Sequence, residues 1–273
     1  MTARQKGAFT MSTNLLKLTA LICMLIDHIG EFIPQSPIWF RYIGRISAPL
    51  FFYCSAWGFH YTHNRKQYLI RLYLLGIGMG LGNALLSCMA GNGIALCNNI
   101  FTTLFLGCLT VFIIETAKTL KNRILYLSLF IVQQVLSFFL CLFLQDLIPA
   151  PKDLDQFMLL YDLGAVFASS VYTEGCIIFV FFFTIIYFLK ERPVRLSIFT
   201  AAFSLALHAL ITKTYRLPIS YTLVPFSKYQ WLMIFVIPFF LLYNGKKGKN
   251  FKWFYYIFYP LHIWLLYLIG LSV

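Results

Sequence analysis

The chain is short of charge, and of acidic charge above all. Asp and Glu together supply 9 of 273 residues, and the four charged types only 11%. A disordered segment, an acidic binding protein and a soluble globular domain all need more polar surface than that. No C-x-x-C occurs among the seven cysteines and no paired histidine spacing accompanies them, so no metal site is expected. The cysteines lie mostly in apolar runs, where a thiol behaves as a small hydrophobe; a Cys88–Cys97 disulfide across one short loop is the alternative. Internal repeats and long loops are missing too. What is abundant is apolar: 60% of residues are hydrophobic, 19% aromatic, and Phe alone supplies 29. This composition predicts an all-α integral membrane protein, one domain over residues 1–273. The net charge of +13 is then a topology signal and not the footprint of a nucleic acid.

A transmembrane helix needs about 20 apolar residues. Stretches 15–33, 43–62, 68–89, 98–117, 124–148, 157–189, 196–212, 231–243 and 253–271 predict a polytopic bundle of about nine spans, within a range of 8–10. Stretch 157–189 is ambiguous, because at about 1.5 Å per residue it is too long for one crossing and short for two. An interfacial or re-entrant piece up to Tyr172 followed by a span from Gly175 resolves it as one crossing. Arg4, Lys6, Arg65, Lys66, Arg71 and the basic clusters at 118–123, 190–195 and 246–252 then share one side, fifteen of the 22 basic residues. The positive-inside rule makes that side cytoplasmic, with the N-terminus there and the C-terminus outside. Arg4 and Lys6 precede an apolar stretch as in a signal peptide. That stretch holds Lys17, Asp27 and His28 and ends in no cleavage site, so the first span is expected to be retained.

An ionisable side chain inside a span costs about 2.5–3.5 kcal/mol on insertion scales, so each one marks a cavity, a partner or a mechanism. Lys17 and His28 are eleven residues apart, which is some 20° from a whole number of turns and a rise of about 16 Å, so they share a helix face. Snorkelling is the plain alternative for Lys17, and an interhelical hydrogen bond for His28. Asp27 stands roughly 100° round the helix and is expected to pair with Arg45, which shares a face with Arg41 at i, i+4 just beyond a short loop. His60, His63, Asn64, Arg65, Lys66 and Arg71 gather where the second span meets the third. Such a cluster serves as a topology anchor, a lipid-headgroup site or a phosphate clamp. Pro260 kinks the last span beside His262, and Glu174 sits at the break of the ambiguous stretch.

The runs LKLTALICMLIDHIG, RYIGRISAPLFF, GFHYTHNRKQYLIRL and FYYIFYPLHI resemble, in order, the signatures of the TraX family of membrane proteins. They also resemble acyltransferase 3 proteins, in which a basic residue and a catalytic His stand eleven apart in the first span, as Lys17 and His28 do. PLFFYCSAWGF is similar to the run that follows there, with Ser55 in place, although Ala56 and Trp57 interrupt its Ser–Gly step; YPLH is similar to the closing tyrosine and His262. The likeness covers about residues 12–75 and 250–268.

The resemblance implies a bacterial inner-membrane acetyltransferase that moves an acetyl group from cytoplasmic acetyl-CoA to an amine or hydroxyl on a peptide, glycan or secreted small molecule. His28 would be the general base or transient acetyl carrier, with Asp27 as its catalytic neighbour. Lys17, Arg65, Lys66 and Arg71 would bind the donor. Arg41, Arg45, Ser55, Glu174 and His262 are candidates for substrate binding or support. Membrane lipid surrounds the protein, nucleic acid is not a partner, and a homo-oligomer is compatible with the sequence. Two other classes compete: a transporter or flippase, which predicts paired broken helices in two related halves, and a noncatalytic assembly factor for a surface structure.

Overall fold

The computed structural model describes residues 10–90, 96–147, 156–214, 227–248 and 251–273, and among them it contains helices and no strands. Helix α1 (Thr13–Phe32) is capped by Ser12, whose Oγ accepts from the Leu15 amide at 3.3 Å, and it ends before Pro34 and Pro37. The expected second span is broken in two. Helix α2 (Trp39–Gly44) and helix α3 (Ser47–His60) are separated by a turn at Arg45 and Ile46. Pro49 explains the break: it has no N–H for the Arg45 carbonyl, and a proline is tolerated only in the first turn of the helix that follows.

Helix α4 (Arg65–Ala90) starts at Asn64, whose side chain accepts from the Gln67 amide at 3.0 Å. Helices α5 (Ile100–Thr116), α6 (Leu120–Leu147), α7 (Gln156–Phe167), α8 (Cys176–Leu189) and α9 (Pro193–Thr214) follow. A 3-10 turn at Gln230–Val236 leads into α10 (Ile237–Leu242), and α11 (Lys252–Ser272) closes the bundle with Pro260 inside it. No disulfide joins Cys88 to Cys97.

Four of these helices, α4, α6, α9 and α11, are long and apolar enough to cross a membrane, so the nine expected spans are not met by helix length. The reason is positional. The four long helices lie outermost: only 11% of the apolar window of α6 is buried, and Leu136, Phe139 and Phe143 on it are exposed. The inner helices α3, α5 and α8 are 14, 17 and 14 residues long and carry the core, with Phe52, Phe59, Cys108, Val111, Phe182 and Phe183 fully buried. A helix shielded by other helices need not match the hydrocarbon thickness alone, and α1 among them tolerates Lys17, Asp27 and Glu31. The stretch expected at 231–243 divides between the 3-10 turn and α10.

The break in stretch 157–189 falls at residues 168–175, beginning before the expected end at Tyr172 and ending where expected, and Gly175 opens α8 with a φ of 74°. Its backbone groups are satisfied from α6. Gln133 Nε2 donates to the Phe167 carbonyl at 3.0 Å, Gln134 Nε2 donates to the Ala168 carbonyl at 3.0 Å, and the Ser170 amide donates to Gln134 Oε1 at 2.6 Å. Thr103 on α5 donates to the Glu174 carbonyl at 2.7 Å.

The segments carrying Arg65, Glu115, Lys190, Lys246 and Lys247 gather at the end of the bundle where α1 begins. Arg65 pairs with Glu115, Tyr53 donates to the Lys190 carbonyl at 3.3 Å, and the Thr13 amide donates to the Lys246 carbonyl at 2.8 Å. Arg65, Lys190 and Lys246–Lys247 therefore share one end, while Arg4 and Lys6 lie outside the described residues. Burial holds the Lys190 ammonium at that end below the usual lysine range, against the pull of Glu191 and Glu115.

Replacing Gln134 with Leu should lower the melting temperature in detergent, because each backbone group left unpaired in the break costs about 1–3 kcal/mol. Leu136→Ala on the exposed face serves as the reference. Equal melting of the two variants would mean that the break does not depend on α6.

Candidate functional site

The polar residues of α1 converge where it meets α2, α5 and α11. Gly44 makes the α1–α2 approach possible, since a Cβ there would overlap the Asp27 carboxyl. Asp27 pairs with Arg45 as expected, and also with Arg41 at 3.1 Å; Arg41 reaches Glu31 at 2.8 Å, and Arg45 donates to Gln230 Oε1 at 3.0 Å. Asp27 thus belongs to an ion network and makes no side-chain contact with His28. Asp27, His28 and Glu31 bring potential ligand atoms within 4.8 Å of one another. Two guanidiniums already neutralise those carboxylates, so the group does not suit a cation.

His28 and His262, each buried, meet at 2.8 Å between Nδ1 of the first and Nε2 of the second. The remaining contacts decide the protons. His262 Nδ1 lies 2.8 Å from the Phe258 carbonyl, which only accepts, so this nitrogen carries a hydrogen. His262 Nε2 is then the acceptor and His28 Nδ1 the donor. The lone pair of His28 Nε2 is left to accept, at 3.4 Å, from Asn98 Nδ2, with Glu31 Oε2 at 3.9 Å. Asn98 Nδ2 also lies 3.3 Å from Glu31 Oε2, which identifies it as the amide's donor end. The arrangement is a base whose other nitrogen is held by a histidine, itself held by a carbonyl. A proton taken at Nε2 would leave an imidazolium bonded to His262 and close to the Glu31 carboxylate.

Two further residues set this geometry. Asn83, fully buried on α4, accepts from Trp264 Nε1 of α11 at 3.0 Å and donates to the Asn98 carbonyl at 3.1 Å. Glu174, at the break before α8, accepts from the Asn99 amide at 3.1 Å and lies 3.5 Å from the Tyr259 hydroxyl. Sequence reasoning singled out His28, His262, Glu174 and the closing tyrosine, Tyr259, but not the pairing of the two histidines, and passed over Asn83, Asn98 and Gln230. The polar pair Asn98–Asn99 beside an apolar run was the signal available.

From His28 the shared face of α1 descends through Met24 and Leu21 to Lys17, and these three line a partly open cavity of about 90 Å³. Its other walls come from Phe51, Cys54 and Ser55 of α3, Tyr68 and Leu72 of α4, α5, and Tyr255, Tyr256 and Tyr259 of α11. Ser55 Oγ lies 3.0 Å from the Tyr68 hydroxyl. The Lys17 ammonium stands 5.7 Å from the Tyr255 ring centroid.

The expected clamp of Arg65, Lys66 and Arg71 does not close on one point. Arg65 is engaged by Glu115 and by the Tyr187 hydroxyl at 3.3 Å. Arg65 and Lys66 share an open cleft with His63, Asn64 and Phe112, apart from the cavity below His28. Arg71 lies over Tyr68, 5.8 Å from the ring centroid, with its Nε buried and without a hydrogen-bond partner.

Residues 12–147 match the family model described as TraX protein. The match takes in α1 to α6, hence Lys17, His28, the Asp27–Arg45 network, Ser55 and Asn98; His262 and Glu174 lie beyond it. No curated protein and no solved structure matches the chain.

Asp27→Asn should cost about 3 kcal/mol of stability, because Arg41 and Arg45 then face each other without their shared carboxylate. Adding Arg45→Gln should recover part of that loss in a denaturation series. Strictly additive losses would show that the two residues are not coupled.

Proposed function

We propose that the protein is a membrane-embedded acetyltransferase of the TraX type, akin to acyltransferase 3 proteins. It takes acetyl from acetyl-CoA and passes it to a hydroxyl or amine of a peptide, glycan or small molecule on the opposite side of a bacterial inner membrane. The observation that carries this reading is His28 Nε2, which keeps its lone pair because His262 fixes the proton on Nδ1, and which stands one helical turn beyond the inner end of the cavity at Met24. The Lys17 end is cytoplasmic in this reading, in line with the basic clusters gathered there. The inner helices lie at membrane depth alongside the four long ones, so that the chain crosses more often than helix length alone counts.

The donor's acyl arm occupies the cavity, with Lys17 at its mouth. The acceptor approaches from the Glu31–Asn98 side, where the Glu31 side chain is 30% exposed. His28 Nε2 takes the proton of the acceptor as its oxygen or nitrogen attacks the thioester carbonyl. The carbon–sulfur bond breaks, and the departing thiolate receives that proton from the His28 imidazolium. His262 holds His28 in the tautomer this requires, and Glu31 stabilises the imidazolium while it lasts.

His28→Ala should lower acetyl transfer per folded molecule by roughly 10²- to 10⁴-fold while acetyl-CoA affinity stays near wild type. His262→Ala should lower turnover less and alter its pH profile, since it removes the group that fixes the proton on Nδ1. Wild-type turnover per folded molecule in His28→Ala would end the catalytic assignment and leave His28 as a packing residue.

A further inference from the structure

The turn that precedes α11 has no role in the reading so far, yet it is built against the mouth of the cavity. Residues 243–248 run beside the start of α1. Met11 and Tyr243 form an isolated parallel bridge, and the Met11 amide donates to the Leu242 carbonyl at 2.9 Å. The Thr13 amide donates to the Lys246 carbonyl at 2.8 Å and the Asn14 amide to the Lys247 carbonyl at 3.1 Å. Gly245 and Gly248 flank the two lysines with φ of 77° and 72°, a backbone that side chains rarely adopt. At Gly248 a Cβ would meet Ser12 Oγ at 2.8 Å, so the strap has to lie close on α1.

Its carbonyls are therefore turned onto α1 and held there, while both lysine side chains are exposed. No carboxylate lies within ion-pair distance of either among the described residues. The strap is joined to the cavity wall through Asn14, whose Oδ1 accepts from the Tyr255 hydroxyl at 2.9 Å, and Tyr255 faces Lys17 across the mouth. Arg71 stands over Tyr68 of the cavity wall and has a buried Nε that no described residue satisfies. Lys17 on the cavity wall, Arg71 beside Tyr68 and the two lysines of the strap bonded to the start of α1 thus make no ion pair with an acid among the described residues. Like charges held together in this way repel one another unless an anion joins them.

We infer that the 243–248 strap is a phosphate-binding element, in which Lys246 and Lys247, with Lys17 on the cavity wall and Arg71 beside Tyr68, hold the phosphate groups of the donor nucleotide. The inference rests on the transferase reading, and it moves the phosphate contacts away from Arg65, which Glu115 already engages. The shared chemistry is phosphate, which the donor and an anionic lipid headgroup both carry. The donor is favoured because the mouth leads into the cavity under His28.

The test is calorimetry on the detergent-purified full chain, with acetyl-CoA and with acetyl-pantetheine, which has the thioester arm but no nucleotide phosphates. Lys246→Gln/Lys247→Gln should weaken acetyl-CoA binding by about tenfold or more at low ionic strength, and by less at high salt. It should leave acetyl-pantetheine affinity and the melting curve unchanged, and Lys246→Arg/Lys247→Arg should restore acetyl-CoA binding. Unchanged acetyl-CoA affinity would overturn the assignment, as would an equal loss for the two ligands. If the double variant in lipid nanodiscs loses anionic-lipid binding while acetyl-CoA affinity is kept, the strap is a headgroup site instead. Each of these results leaves wild-type acetyl transfer standing; absence of transfer by the wild type would remove the transferase reading itself.

Discussion

Backbone interrupted at membrane depth has to find its hydrogen bonds inside the protein, because lipid offers none. Much of this structure answers that constraint. The break at 168–175 is held by Gln133 and Gln134 from α6 and by Thr103 from α5. The segment entering α5 is held by Asn83 and by the Asn99 side chain, which donates to the Gly76 carbonyl at 2.8 Å. The turn between α2 and α3 is held in part by Arg45 Nε, which donates to the Arg41 carbonyl at 3.0 Å. These interruptions carry Glu174, Asn98 and Arg45 respectively, so the places where helix stops are also the places that present polar groups to the site.

The same constraint sorts the helices into two populations. The four long helices are exposed over most of their apolar windows, and such a surface suits lipid only if it is long and apolar. Inner helices are insulated by them and are free to be short, broken or charged. Two histidines, three carboxylates and two arginines can then be assembled in a protein of which only 11% is charged, because the cost of placing them away from water is offset by pairing within the cluster. The cavity is the complement of that cluster: aromatic and aliphatic over most of its wall, with cations at one end and the His28 base just beyond the other.

How much of this was legible in the sequence follows from the range of each interaction. Periodicity within one helix placed Lys17 and His28 on one face, and the short loop after α1 placed Arg45 beside Asp27. The break before Gly175 was legible from length alone. The split of the second span was available in Pro49, but the apolar run around it masked the signal. The span count failed because hydropathy measures contact with lipid, and inner helices have little of it. His262 was legible beside Pro260 but its pairing with His28 was not, and nothing local distinguishes Asn98, Asn83 or Gln134 from other polar residues in apolar runs. The charge pattern placed the lysines of the strap at one end of the bundle, but only the fold shows that the strap is bonded to the start of α1, which leads into the cavity wall.

The hydrogen bond between His28 and His262 spans 234 positions of the chain. A ribosome delivers α1 early and α11 late, so during synthesis α1 waits in the membrane with His28 unpartnered, and Asn83 waits for Trp264. The arrangement of protons that makes His28 Nε2 a base comes into being with the last helix. Chains released early would carry most of the cavity wall and the entire Asp27–Arg45 network, yet have no fixed tautomer at His28. The proton arrangement at His28 is in this sense a record of a completed chain.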